Sequence, residues 1–150
     1  MFNKIFGLVL AILLSRFVYA SDLDDISACA GVVVGDAVVD LTLGVNEEKF
    51  DDTFRYAAGL QIAALQSVDF ADDEALISDQ LFSANMDKMT NTYNAGAYTS
   101  DALIEVINCY RILAPMSAKY STELRATEAT LNRLVPERIL LIRRMLQAGG

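Results

Sequence analysis

From Asp22 to Leu43 the apolar residues Leu23, Ile26, Ala30, Val33, Ala37 and Leu41 recur in steps of three and four. That spacing puts them on one face of a helix. Ser21 is placed to cap the first turn, Asp22, Asp24 and Asp25 suit its positive end, and Gly44 is a fair stop. Within this stretch Gly31-Val32-Val33-Val34-Gly35 also fits a buried strand, because valine favours strands and glycine marks bulges. Helix is the preferred reading: two glycines four apart leave a smooth face that a second helix can approach closely.

Three further helices and a long last one follow from the same periodicity. Asn46 caps a helix to about Val68, with Phe50, Phe54, Ala58, Leu65 and Val68 on one face and Gln61 as the polar exception. After the connector Asp69-Phe70-Ala71, Asp72 caps a third helix whose stripe is Ala75, Phe82, Met86, Met89 and Tyr93. Asn94-Ala95-Gly96 signals a turn. Thr99 or Ser100 caps a fourth helix carrying Ala102, Val106, Cys109 and Leu113, which Pro115 ends or kinks. From Thr122 towards Gly149 the seam Leu124, Leu131, Val135, Ile139, Ile142 and Leu146 passes Pro136 without slipping, which predicts one kinked helix. The expected fold is all-α, a bundle of four or five helices.

The first twenty residues have a different layout. Lys4 gives a positive start, Ile5–Leu14 is an apolar run of ten, and Val18-Tyr19-Ala20 ends on a small residue. This is the pattern of a cleavable secretory signal peptide cut after Ala20. Arg16 keeps the run to about half of the ~20 residues a spanning helix needs. The expected organisation is a signal peptide over 1–20 and a single helical domain over 21–150, secreted or periplasmic and not stably inserted in a membrane.

Charge and cysteine content sharpen this picture. The 150 residues carry 12 Lys+Arg against 20 Asp+Glu and no His, a net charge of −8. Residues 21–109 hold 17 acidic and 3 basic side chains, whereas 110–150 hold 3 acidic and 7 basic. An acidic body argues against nucleic acid, whose phosphates require clustered Lys and Arg. Cys29 and Cys109 are the only cysteines, and in an exported chain an even pair implies one disulfide. Both lie on expected core-facing stripes, so the bridge would pin the first helix to the fourth.

Catalytic patterns are sparse. Without His there is no base of the usual kind for a Ser or Cys nucleophile, and no Ser-x-x-Lys, C-x-x-C or Gly-rich phosphate loop occurs. No metal or cofactor is implied. Asp36 and Asp40, four apart on an apolar helix, are the one pair whose surroundings could raise a carboxyl pKa for acid–base work; the alternative is a solvated stripe or partners for Arg111 or Arg125. The acidic connector Asp69, Asp72, Asp73 and Glu74 lacks the alternation of a calcium loop and reads as helix capping.

Three functions are compatible with these residues. The first is a non-enzymatic domain acting through protein–protein contact, with a partner of unknown identity or a second copy. Tyr93 and Tyr98 around the turn, and Arg133, Arg143 and Arg144 on the basic tail, are its candidate contacts; Arg133 and Arg144, eleven apart, face nearly the same way. The basic tail could instead neutralise its own acidic body. The second is a carrier of a small apolar ligand between helices, lined by Phe50, Phe54, Phe82, Met86 and Met89. The third is a carboxylate-based hydrolase using Asp36 or Asp40.

Overall fold

The computed structural model describes residues 2–44, 47–67 and 72–148, and side chains from Ser21 onward except at 47, 72–73, 138, 142–143 and 145–148. The described residues form five helices and no strand: α1 (Phe2–Thr42), α2 (Glu47–Ser67), α3 (Asp72–Asn94), α4 (Ser100–Lys119) and α5 (Ser121–Ala148). The all-α bundle follows the sequence reading. The Asn46 cap, the end of α2 at Val68, the connector at 69–71, and the side chains of Asp72, Asp73, Ile142 and Leu146 lie outside the described residues, as do the side chains of 1–20.

α1 is the axis of the bundle. It packs on α2, α3 and α4, while α5 packs chiefly on α2. The sequence pattern assigned α1 one apolar face. Instead Ile26, Cys29, Ala30, Val32, Val33, Val34, Ala37, Val38 and Val39 are all buried. Apolar side chains on most sides of a helix mean burial on most sides of it, and three partners supply that burial. Gly31 and Gly35 are helical, and α3 uses the smooth face they leave. A Cβ on Gly31 would sit 2.2 Å from the Phe82 carbonyl oxygen, and one on Gly35 would sit 2.7 Å from Met89 Cβ.

Two expected helix ends are corrected. Ser21 is not an N-cap in this chain, because α1 runs through it from Phe2. Of the two readings of Pro115, an end or a kink, the end does not hold, because α4 continues through it to Lys119. Leu113 and Tyr120, buried on either side of Pro115, hold that last turn to the core. The turn closes with the Tyr120 amide donating to the Met116 carbonyl. Thr99 occupies the N-cap of α4 with extended backbone but makes no side-chain capping bond. Its carbonyl accepts from the amides of Ala102 and Leu103 instead. Gly44 and Gly96 turn the chain at φ of 74° and 69°, where a side chain would strain the backbone.

α4 buries Ala102, Val106, Cys109 and Leu113, the stripe read from the sequence. Cys109 thereby meets Cys29 of α1 at disulfide distance, with Cα atoms 4.9 Å apart. The pairing closes 80 residues of chain and ties α4 to the axis.

Candidate functional site

The paired carboxylates come first. Asp36 and Asp40 both project from α1 at the bundle's flank, but each is engaged by a donor that the sequence did not suggest. The Tyr98 hydroxyl donates to Asp36 Oδ1, and Lys49 Nζ, from the start of α2, donates to Asp40 Oδ2. The partners are therefore Tyr98 and Lys49, not Arg111 or Arg125. Burial pushes the Tyr98 hydroxyl well above the usual tyrosine range, and the Asp36 carboxylate adds to this by accepting its hydrogen bond and repelling a phenolate. Lys49 is raised mainly by its bond to Asp40, against the opposing effect of burial. Tyr98 also meets Tyr93 edge-on, with ring centroids 6.1 Å apart. The two tyrosines therefore fasten the α3–α4 turn onto α1.

The cationic residues are less drawn in. Lys119 pairs with Asp22, and Lys88 bridges to Glu105 at 2.7 Å. Arg55 holds Asp51 at 2.8 Å and reaches Asn132 on α5. Arg111, Arg125, Arg133 and Arg144 are exposed and form no ion pair with another described residue. The side chains of Arg138 and Arg143 lie outside the described residues.

A polar chain that periodicity missed runs through the core. Ser27 Oγ donates to the Leu23 carbonyl at 2.6 Å and lies 2.7 Å from Ser78 Oγ. A hydroxyl has one proton, so Ser78 donates to Ser27. Ser78 in turn accepts from Gln61 Nε2 at 2.8 Å. The direction is fixed from α2 through α3 to α1, and among the described residues no buried side-chain polar atom lacks a partner. The one signal in the sequence was Gln61, the polar exception in an apolar stripe.

Gln61 also reaches a cavity of 310 Å³. Among the described residues α3 and α5 make no extensive contact, so a gap opens between them over α2. Its floor is Phe54, Ala58, Gln61 and Ile62. One wall is Asp79, Phe82, Ser83 and Met86; the other is Leu131, Leu134 and Leu141. Of the five residues expected around a ligand, Phe54, Phe82 and Met86 line this cavity. Phe50 and Met89 do not, being 2 % and 1 % exposed in the core.

α4 presents a second surface. Beside its buried stripe, Leu103, Ile104 and Ile107 are 51, 53 and 51 % exposed, and Tyr110 is 40 % exposed next to Tyr56 of α2. Positions 103, 107 and 110 are successive turns of one face, and Arg111 borders it.

No protein-family model matches this chain, and no curated protein sequence or solved structure matches it. The two surfaces above are therefore read on their chemistry alone. Among the described residues no helix is long and apolar enough to cross a membrane.

Proposed function

We propose that this chain is an exported, non-enzymatic helical domain, secreted or periplasmic, that acts through protein–protein contact. The outer face of α4 carries the reading. Four large apolar side chains in adjacent turns keep about half their surface in water, and clustered apolar exposure of this kind marks interaction surfaces. Arg111 borders the stripe without an ion partner among the described residues. The complementary surface is a protein presenting an apolar stripe edged by carboxylates. Asp36 and Asp40, held by Tyr98 and Lys49 and absent from the cavity lining, give the hydrolase reading little support. The layout of residues 1–20 and the approach of Cys29 to Cys109 support export.

The test places a photo-crosslinking amino acid at position 107 in the full chain, expressed in cells, with position 80 on α3 as the exposed control. The reading expects one discrete adduct from position 107 that is absent from position 80 and lost on Arg111→Glu. Adducts from 107 no stronger than from 80, or unaffected by the charge reversal, overturn it. An adduct of twice the chain mass identifies the partner as a second copy. N-terminal sequencing of the exported protein should start at Ser21; an intact Met1 refutes cleavage.

A further inference from the structure

We infer that the cavity between α3 and α5 is a binding site for an amphiphilic amine, an apolar chain or ring ending in a protonated nitrogen. The site is independent of the α4 face. Its apolar part is made by Phe54, Phe82, Met86 and Leu131, which favour burial of a hydrocarbon group. The polar end is set by the hydrogen-bond direction in the core. Gln61 is 6 % exposed, and its amide nitrogen is committed to Ser78, with Asp79 Oδ1 at 3.5 Å. A carboxylate offers no proton, so the nitrogen of Gln61 must be the atom facing it. That leaves the Gln61 carbonyl oxygen, which accepts from no described residue and is not itself fully buried, as the second acceptor at this end. Asp79 forms no ion pair with a described residue. Two acceptors, one of them a full negative charge, beside an apolar trough of 310 Å³ call for a ligand whose head donates and carries positive charge. A fatty carboxylate would set two anions together and leave both acceptors unmet.

The experiment titrates the full-length protein with dodecylamine and, separately, dodecanoate, both below their micelle concentrations, by isothermal calorimetry near neutral pH. One saturable amine site is expected, at least about tenfold tighter than for dodecanoate, since a charge-assisted hydrogen bond is worth about 1.4 kcal/mol or more. Asp79→Asn should remove most of that preference. Ser83→Phe, at an exposed position on the cavity wall, should abolish binding while leaving net charge and the circular dichroism spectrum unchanged. Amine binding that survives Ser83→Phe is general attraction to an acidic protein and overturns the assignment. Equal affinity for the two probes, no saturable site, or an unchanged preference in Asp79→Asn overturns it as well.

Discussion

Adding one methyl group to Gly31 tests the packing on which the fold depends. In an isolated helix Gly→Ala stabilises by about 0.8–1 kcal/mol, because alanine restricts the unfolded chain and glycine does not. Here the new Cβ would lie 2.2 Å from the Phe82 carbonyl oxygen and 3.0 Å from Asn85 Cβ. Ordinary C···O contacts are no closer than about 3.3 Å, so the methyl is about 1 Å too near. The nearest atom is backbone on α3 and cannot swing aside, so α1 and α3 must part. A gap of 0.5–1 Å forfeits about a quarter to a half of each dispersion contact along the seam, and it stretches the Ser27–Ser78 bond between the same two helices. Overpacking of this kind costs about 1–3 kcal/mol and occasionally more. With the lost contacts included, Gly31→Ala should destabilise by about 2–4 kcal/mol net.

Two other glycines provide a graded comparison. A Cβ at Gly35 meets Met89 Cβ at 2.7 Å and the Met86 carbonyl oxygen at 2.9 Å, so Gly35→Ala should cost about 1–2 kcal/mol. At Gly59 the nearest atom is Leu131 Cδ1 at 3.0 Å, the end of a flexible side chain, so Gly59→Ala should fall within about 0.5 kcal/mol of the parent. Urea unfolding followed by circular dichroism reads all three as midpoint shifts at constant slope. Gly31→Ala combined with Gly35→Ala should cost less than the sum, because the first substitution already opens the seam for the second. A Gly31→Ala protein as stable as the parent, or one less affected than Gly59→Ala, would refute backbone-on-backbone packing of α1 against α3.

The other interactions around α1 make separate predictions. Replacing Cys29 and Cys109 together with Ala should lower stability by about 4.5 kcal/mol, the chain-entropy value for a loop of this length, and thiol titration of the denatured, unreduced parent should find no free thiol; two free thiols would sink the pairing. Because the folded state raises the Tyr98 hydroxyl above the unfolded value near 10, its contribution is complete below that pH and is lost as pH climbs through the folded value. Stability should fall above about pH 10, and Tyr98→Phe should flatten that fall and cost about 1–2 kcal/mol at neutral pH; an alkaline slope identical in the variant would refute the Tyr98–Asp36 contact. Ser27→Ala should cost about 1–3 kcal/mol by leaving the Ser78 proton unpaired, and Ser27→Ala combined with Ser78→Ala should cost less than the sum of the two single replacements, although it also leaves Gln61 Nε2 without its Ser78 acceptor; strict additivity in denaturant midpoints would refute the Ser27–Ser78 bond.

The helices were legible where periodicity alone decides. Ala102, Val106, Cys109 and Leu113 recur at helical spacing, and that spacing placed Cys109 on the side that meets Cys29. Gly31 and Gly35 were legible as a close approach, though not as an approach by α3, because spacing does not identify the neighbour. Pro115 left open whether α4 ends or bends there, because a proline's local penalty does not weigh the burial of Leu113 and Tyr120 that holds the helix together around it. Tyr98 and Asp36 are 62 residues apart, and Ser27 and Ser78 are 51 apart. No local rule joins such pairs; only the crossing of α1 by the α3–α4 turn and by α3 does. The cavity was half legible for a similar reason. Phe50 and Phe54, like Met86 and Met89, share helical stripes, and a stripe cannot tell the wall of a gap from the interior of the core. That distinction depends on where α5 lies, and α5 leans on α2 without closing onto α3.

The position of α1 accounts for both outward-looking surfaces. A helix buried over most of its surface uses up the inner faces of α2, α3 and α4, so whatever these helices carry beyond one apolar stripe must face outward or across a gap. α4 carries a second stripe, and apart from Tyr110, which stacks on Tyr56 of α2, it is left open. α5 leans chiefly on α2, with a smaller contact on α4, so its distance from α3 is not set by direct packing and a trough remains between them. The fixed contacts converge on the axis instead: Cys29 with Cys109, Asp36 with Tyr98, and Ser27 with Ser78 and, through it, Gln61. None of them uses a residue of the α4 stripe. The α4 face can therefore engage a partner without any of these contacts breaking. The cavity differs, because Gln61 belongs both to its floor and to the core chain. A ligand there should hold Gln61 in place and protect the α1–α3 seam. Slower amide exchange around Ser27 and Ser78 in the presence of dodecylamine would show that coupling, and unchanged exchange at saturating amine would show that floor and core move independently.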